Sequence, residues 1–326
     1  TATNVNYLGM AFQPDFVWIK ARTDARSQNL IDSVRGNTKF IFSNTNDAEL
    51  TLSTFNSFDS NGFTVSGSDA YINSSSHNYV AWCWKAGGNS NTFNVDGTGY
   101  SSASLAGLDT GTINPTGASV NTQAGFAIIA YNDPVSTGTL FSVSHGLGST
   151  PTLILTKETN NDQSWVSYYG QKNNYLLLDS TAQAGSLSDC FPNVSTTTFG
   201  MKSGFSCNSA ATLIAYVFAD VAGYQKVGSY TGGGSSNVTV NVGFSPRWIM
   251  IRSTTAGRNW LIYDNVRESG NVPYENDTVL FPDSPTQEVT GSTIRGIQFT
   301  STGFVLNQNY SNTNGSGETH IYLAIA

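Results

Sequence analysis

Charge is what this sequence is short of. Asp, Glu, Lys and Arg make up only 11% of 326 residues, against about a quarter in ordinary soluble domains. Exposed helix faces normally carry those side chains, so a helical bundle is disfavoured. Basic residues are scarcer than acidic ones: 15 Lys and Arg against 22 Asp and Glu give a formal charge of −7. A nucleic-acid binder needs a basic face to neutralise phosphate, and this balance excludes one. It works equally against an anionic membrane surface. No apolar run approaches the ~20 residues of a membrane span; the longest, Leu213 to Ala219 (LIAYVFA), fits a buried strand. No signal-peptide pattern opens the chain. It starts on Thr1, not Met, and is read as starting inside a longer polypeptide.

Cysteine and histidine are equally sparse. Cys83, Cys190 and Cys207 are an odd set, too few for a disulfide framework. Cys190 and Cys207 pair only if strand geometry brings them together; otherwise all three read as small buried apolar side chains. With no Cys-x-x-Cys and three His, zinc has no support.

What is abundant is Ser, Thr, Asn and Gly, with aromatics at 12%, the composition of short strands joined by turns. One phrase occurs three times: a Pro, an apolar run, a cation. It reads AFQPDFVWIK (Ala11 to Lys20), GSTPTLILTK (Gly148 to Lys157) and GFSPRWIMIR (Gly243 to Arg252). Each is followed by a second strand-like phrase: NLIDSVRG (Asn29 to Gly36), SWVSYYGQK (Ser164 to Lys172), NWLIYDNVRE (Asn259 to Glu268). A Gly-Phe strand comes next: NGFTV (Asn61 to Val65), SGFSC (Ser203 to Cys207), TGFVL (Thr302 to Leu306). Each unit closes around a central Ala, in YVAWCW, LIAYVF and YLAIA at Ala81, Ala215 and Ala324. Units two and three share a leading hairpin, opened by GFAIIAY (Gly125 to Tyr131) and GYQKVGSYTGGG (Gly223 to Gly234), while unit one keeps only its tail, VNYLGMAF (Val5 to Phe12). The period of about a hundred residues suits a sandwich domain and exceeds any solenoid repeat.

The expected fold is therefore all-β, three tandem antiparallel β-sandwich modules of jelly-roll-like type. Their boundaries are 1–86 (the first module incomplete at its leading hairpin), 124–222 and 223–326. A Gly/Ser/Thr/Asn-rich linker, 87–123, precedes the second. LFSVSHGL and VTVNVGF alternate as half-buried strands do. FVWIK, LILTK and WIMIR are apolar throughout, as at the centre of a two-sheet core or at an interface between modules. The Pro ahead of each run, lacking an amide hydrogen, belongs at a strand entrance.

Catalytic signatures fail. There is no G-x-S-x-G elbow, Ser144 and His145 are neighbours that point to opposite strand faces, and no carboxylate pair is singled out by spacing. Asp32 and Asp264 hold the same repeat position, which favours a structural or interface role. His145 is expected to cap a turn, and His77 and His320 to sit at strand entrances bonded to backbone. Gly146-Leu147-Gly148 is no dinucleotide fingerprint. Asn160-Asn161-Asp162 is the one loop considered for calcium; the expectation is no cofactor and no metal. The six Trp read as core. Tyr71, Tyr100, Tyr274 and Tyr310, in polar turn-rich stretches, are the candidates for surface or ligand contact.

Together these linked phrases resemble a family of repeated β modules in virion proteins of tailed bacteriophages, many of them marine. The resemblance spans nearly the whole chain except 87–123. It implies a non-enzymatic structural protein on the particle surface, assembled in the host cytoplasm: a tail-fibre-like appendage used in assembly or host attachment. A head-decoration protein on the capsid and a carbohydrate-binding adhesin are the alternatives. It implies as partners other virion proteins, copies of itself in a homo-oligomer (a trimer by analogy with phage fibres) and a host surface glycan, with no nucleic acid and no membrane insertion. No catalytic residues come with it.

Overall fold

A computed structural model describes residues 4–134, 137–205, 211–267, 278–290, 296–307 and 310–326. It is nearly all-β, 43% strand and 1% helix, in several antiparallel sheets. The one helix among the described residues is a single turn, Ser311–Asn314.

The three Pro phrases become three strands, Phe16–Ala21, Pro151–Glu158 and Trp248–Ser253. Each lies between the strand that follows it and the one that closes its repeat. Phe16–Ala21 pairs with Asn29–Asp32 and Tyr79–Trp84. Pro151–Glu158 pairs with Val166–Tyr168 and Thr212–Ala219. Trp248–Ser253 pairs with Leu261–Asp264 and Thr319–Ile325. The registers agree: Trp18 faces Leu30 and Trp82, Leu155 faces Ser167 and Tyr216, and Met250 faces Ile262 and Leu323. Those matches define equivalent positions without recourse to sequence spacing.

Successive strand residues point to opposite faces, and here both faces are apolar because both are buried. Val17 and Ile19 enter a core with Phe55, Phe63 and Val65, from the separate sheet of Val5–Leu8, Gly62–Val65 and Phe55–Asp59. Ile154 enters a second core with Phe141 and Phe199, and Ile249 and Ile251 a third with Val240 and Phe304. The alternate residues face the other way, into a fourth core that all three repeats share: Phe16, Trp18, Trp82 and Trp84 from the first, Leu153, Leu155, Trp165 and Tyr216 from the second, Trp248, Met250, Trp260 and Leu323 from the third. The expectation of either a sandwich centre or an interface is thus met by both at once. All six Trp are buried.

Segment 87–123 departs from the linker expectation. Its strands Phe93–Val95, Thr98–Tyr100 and Gly117–Asn121 extend the second repeat's sheet to nine strands, and Gly117–Asn121 pairs with Phe126–Asn132. Phe93, Leu108, Ala118 and Val120 enter the second core. The polar composition hid this because Ser119 is itself buried, its hydroxyl accepting from the Gly87 amide and donating to the Gly88 carbonyl.

The Gly-Phe phrase holds in two repeats. Gly62 and Gly303 lie so close to the partner strand that a Cβ would stand 2.0 Å from the carbonyl oxygens of Tyr7 and Val240. In the second repeat the strand paired with Leu140–Ser144 is Thr198–Lys202, and Ser203–Phe205 lies in the turn that follows.

Candidate functional site

The sites with the most buried chemistry are the junctions between repeats. Equivalent residues make equivalent bonds there, and the bonds run in a closed cycle. The Trp165 indole donates to the Phe42 carbonyl at 2.8 Å, second repeat to first; Trp260 donates to Leu177 at 2.8 Å, third to second. At the same position in the first repeat, Gln28 donates its side-chain amide to the carbonyl of Phe281 in the third. A second cycle uses backbone alone: Glu49 N–H to Thr159 O, Ala184 N–H to Thr254 O and Glu288 N–H to Arg22 O, at 2.8, 3.0 and 2.9 Å.

The cations that end the three phrases lie inside these junctions. Lys20, Lys157 and Arg252 are at most 1% exposed. Lys20 caps its own loop, donating to the carbonyls of Ala21 (2.6 Å) and Asp24 (3.2 Å). Lys157 does likewise to Glu158 (2.6 Å) and reaches across to Asn46 of the first repeat (3.2 Å). Arg252 reaches across to Ala182 of the second and lies over the Trp260 ring. Burial pulls both lysines down to about 8, against the pull of nearby carboxylates including Asp24 for Lys20 and Asp179 for Lys157.

Asp32 and Asp264, paired in the sequence by repeat position, are paired in structure by role. Asp32 holds Arg35 at 2.6 Å, and Arg35 extends to Glu49 at 2.9 Å. Asp264 holds Arg267 at 2.5 Å, and Arg267 extends to Glu288 at 2.7 Å. Each Asp also accepts a bond from a neighbouring repeat's closing strand: Asp32 from the Tyr216 hydroxyl at 2.8 Å, Asp264 from the Trp82 indole at 3.0 Å. Burial would raise the Asp264 carboxyl, but Arg267 outweighs it and the net shift is down. The Tyr216 phenol goes the other way, raised by burial and by Asp32. At the third junction both polar partners are missing together. The position of Asp32 is taken by Tyr169 and that of Trp82 and Tyr216 by Leu323, and both pack in the shared core. No carboxylate is left there without its donor.

The tyrosines chosen from the sequence do not converge. Tyr71 is half-buried and stacks on Phe42 at 5.5 Å; Tyr100 is half-buried against the second core. Tyr310 corrects its expectation: it is 9% exposed and belongs to the third core. Its polar flanks concealed this, because Asn314 two residues beyond Asn312 is itself buried and spends its amide on the carbonyls of Ser236 and Asn307. Tyr274 and Cys207 lie outside the described residues; Cys83 and Cys190 are free thiols. His145 caps its turn as expected, Nδ1 accepting from Leu147 N–H at 3.1 Å, and burial pushes it down to about 4. His320 bonds the Glu318 carbonyl at 3.3 Å and stacks on Tyr230, while His77 stands 3.3 Å from Asp24. Asp162 and Asn160 are spent on the backbone amides of Ala48 and Thr212, at 2.9 Å each. Among the described residues no three His, Cys, Asp or Glu side chains gather as metal ligands.

Two clefts, of about 500 and 510 Å³, flank the closing strand of the first repeat, Tyr79–Trp84. One is lined by Tyr7, Met10, Phe63 and His77, the other by Phe12, Lys85, Tyr224 and Trp248; Ala81 belongs to both.

Over residues 1–326 the sequence matches a domain of unknown function, DUF7483. The chain belongs to this family. No curated protein and no solved structure matches it. Family membership therefore adds extent, the whole chain as one matched unit, and leaves the chemistry to the junctions and clefts just described.

Proposed function

We propose that this chain is a structural component of a bacteriophage particle, exposed on the virion as a tail-fibre-like appendage for assembly or host attachment. Each repeat is a β-sandwich module, and the three modules close into a ring about their common core. The observation that carries the proposal is the cyclic interlock: one set of equivalent bonds joins first to second, second to third and third back to first. Such a ring places inside one chain the mating of like surfaces that a fibre obtains from three copies. Its buried cations and carboxylates tie modules together and face no common cleft, which suits a mechanical part better than a reaction centre. The resemblance to virion modules supports the particle assignment, and contacts with copies of itself or other virion proteins then use the outward faces.

The test is to locate the chain on intact particles with antibodies against it, by gold labelling and by a density map with the subunit placed. Label on tail appendages supports the reading. Label on the head lattice replaces it with capsid decoration, and absence from particles overturns it.

A further inference from the structure

The first repeat has an unfilled strand position, and the other two show what fills it. In the second repeat the closing strand Thr212–Ala219 is covered on its outer edge by Phe126–Asn132, and in the third Thr319–Ile325 is covered by Gln225–Thr231. Tyr79–Trp84, their equivalent, is the edge of its sheet, with Phe16–Ala21 on one side and no strand on the other among the described residues. The missing bond can be named. Ala219 N–H donates to Gly125 O and Ala326 N–H to Tyr224 O, at 2.8 Å in both cases; the matching group, by register, is Lys85 N–H, to which no backbone acceptor is assigned. Asn78 O and Trp84 O accept from Arg22 and Asp15 on the Phe16–Ala21 side. Alternation then turns the amides and carbonyls of Tyr79, Ala81 and Cys83 outward.

The surroundings fit an occupant. Tyr79, Val80, Ala81 and Cys83 are only half-buried, whereas Leu213 through Ala219 are buried throughout. The two clefts lie beside this edge. An uncharged, flat edge of this kind is one that proteins ordinarily cover; no charged side chain lies within Tyr79–Trp84. Charge complementarity narrows the occupant: among the described lining residues of both clefts there is no Asp or Glu, while Lys85 and His77 are present, in a chain with 22 acidic residues. The edge is also recessed, with Tyr224 and Trp248 of the third repeat and Ala124 of the second forming one wall. A lone strand enters such a groove more readily than the edge of a second copy's sheet.

We propose that the Tyr79–Trp84 edge binds an extended segment of a partner polypeptide by strand addition. The segment runs antiparallel to it, is apolar or small at alternate positions as Phe126–Asn132 and Gln225–Thr231 are, and is neutral or acidic where it passes Lys85. This stands independently of where on a particle the chain is carried.

The experiment uses the 326-residue chain and two labelled synthetic peptides, GYQKVGSYT and its Lys→Glu variant GYQEVGSYT. Binding is followed by fluorescence anisotropy, and hydrogen exchange is mapped with and without peptide. Expected are saturable binding, tighter for the acidic peptide at low salt, and slowed exchange confined to Tyr79–Lys85. A peptide with Pro at its central Val is expected to bind at least tenfold more weakly. The exchange map on the unaltered protein avoids dependence on an edge variant that fails to fold. Slow exchange at Ala81, Cys83 and Lys85 without peptide means the chain fills its own slot and overturns the proposal. Protection that grows with protein concentration alone assigns the edge to a second copy and overturns it too, as does protection elsewhere or none.

Discussion

The indole N–H of Trp165 lies 2.8 Å from the carbonyl oxygen of Phe42, across a junction between repeats, and Trp260 stands in the same relation to Leu177. Each indole is at most 1% exposed, so replacing it by Phe leaves a carbonyl without its donor in a place water does not reach. The expected cost is about 1–3 kcal/mol each; Ala, which opens a cavity as well, costs about 3–5 kcal/mol. Urea unfolding measures both. Closely similar losses at positions 165 and 260 are expected from their equivalence, and a loss at only one would break it.

The Asp32–Arg35 pair separates buried from surface electrostatics within a few residues. Their side chains are 0% and 6% exposed. Arg35→Met strands Asp32 beside Tyr216 and Glu49, at an expected cost of about 3–5 kcal/mol. Lys39 reaches the same Glu49 at 3.1 Å from a side chain 38% exposed, and Lys39→Met is expected to cost less than about 1 kcal/mol. Equal losses in the two variants, read from denaturant midpoints, would contradict this account.

The repeats, the strand entrances at Pro and the burial of all six Trp were legible in the sequence because each depends on local pattern. The shared core was only half legible. FVWIK, LILTK and WIMIR announce two buried faces, but a period of two cannot say what the second face meets, and here it meets the other two repeats. Asp32 and Asp264 were placed together correctly by repeat position; their donors Tyr216 and Trp82 were out of reach, being distant in sequence and contributed by other repeats. The strands of 87–123 escaped because burial there falls on Gly117, Ala118 and Ser119, residues whose small size suits a crowded sheet and whose composition reads as a linker. Tyr310 was misplaced for a similar reason: polar neighbours signal exposure only when their hydrogen bonds go to water.

Gly62 and Gly303 give a test of register. With a Cβ expected 2.0 Å from Tyr7 O and Val240 O, Ala at either site forces the paired strands apart. The expected loss is about 1–3 kcal/mol, the range for overpacked sites, with faster amide exchange in Val5–Leu8 for the first and Val238–Asn241 for the second. Neutral substitution at both would mean the strands are not held at this distance.

The buried lysines predict an unusual alkaline response. Burial lowers Lys20 and Lys157 to about 8, while in the unfolded chain a lysine keeps its proton to about pH 10.4. Between those values the unfolded chain binds more protons than the folded one, so stability rises with pH. Two groups oppose the rise. Burial pushes the Cys83 thiol up to about 12, so above about pH 8.5 it ionises only in the unfolded chain and draws the equilibrium that way; the Tyr216 phenol, raised by burial and by Asp32, does the same above about pH 10. Urea midpoints measured from pH 7 to 10.5 should therefore climb more steeply in Cys83→Ala than in the unaltered protein. Lys20→Met and Lys157→Met, whatever each costs at pH 7, should each flatten the climb and together abolish it. A slope unchanged by both lysine replacements would show that these ammonium groups are charged in the folded protein throughout the range, and would remove the basis for placing them in a dry junction.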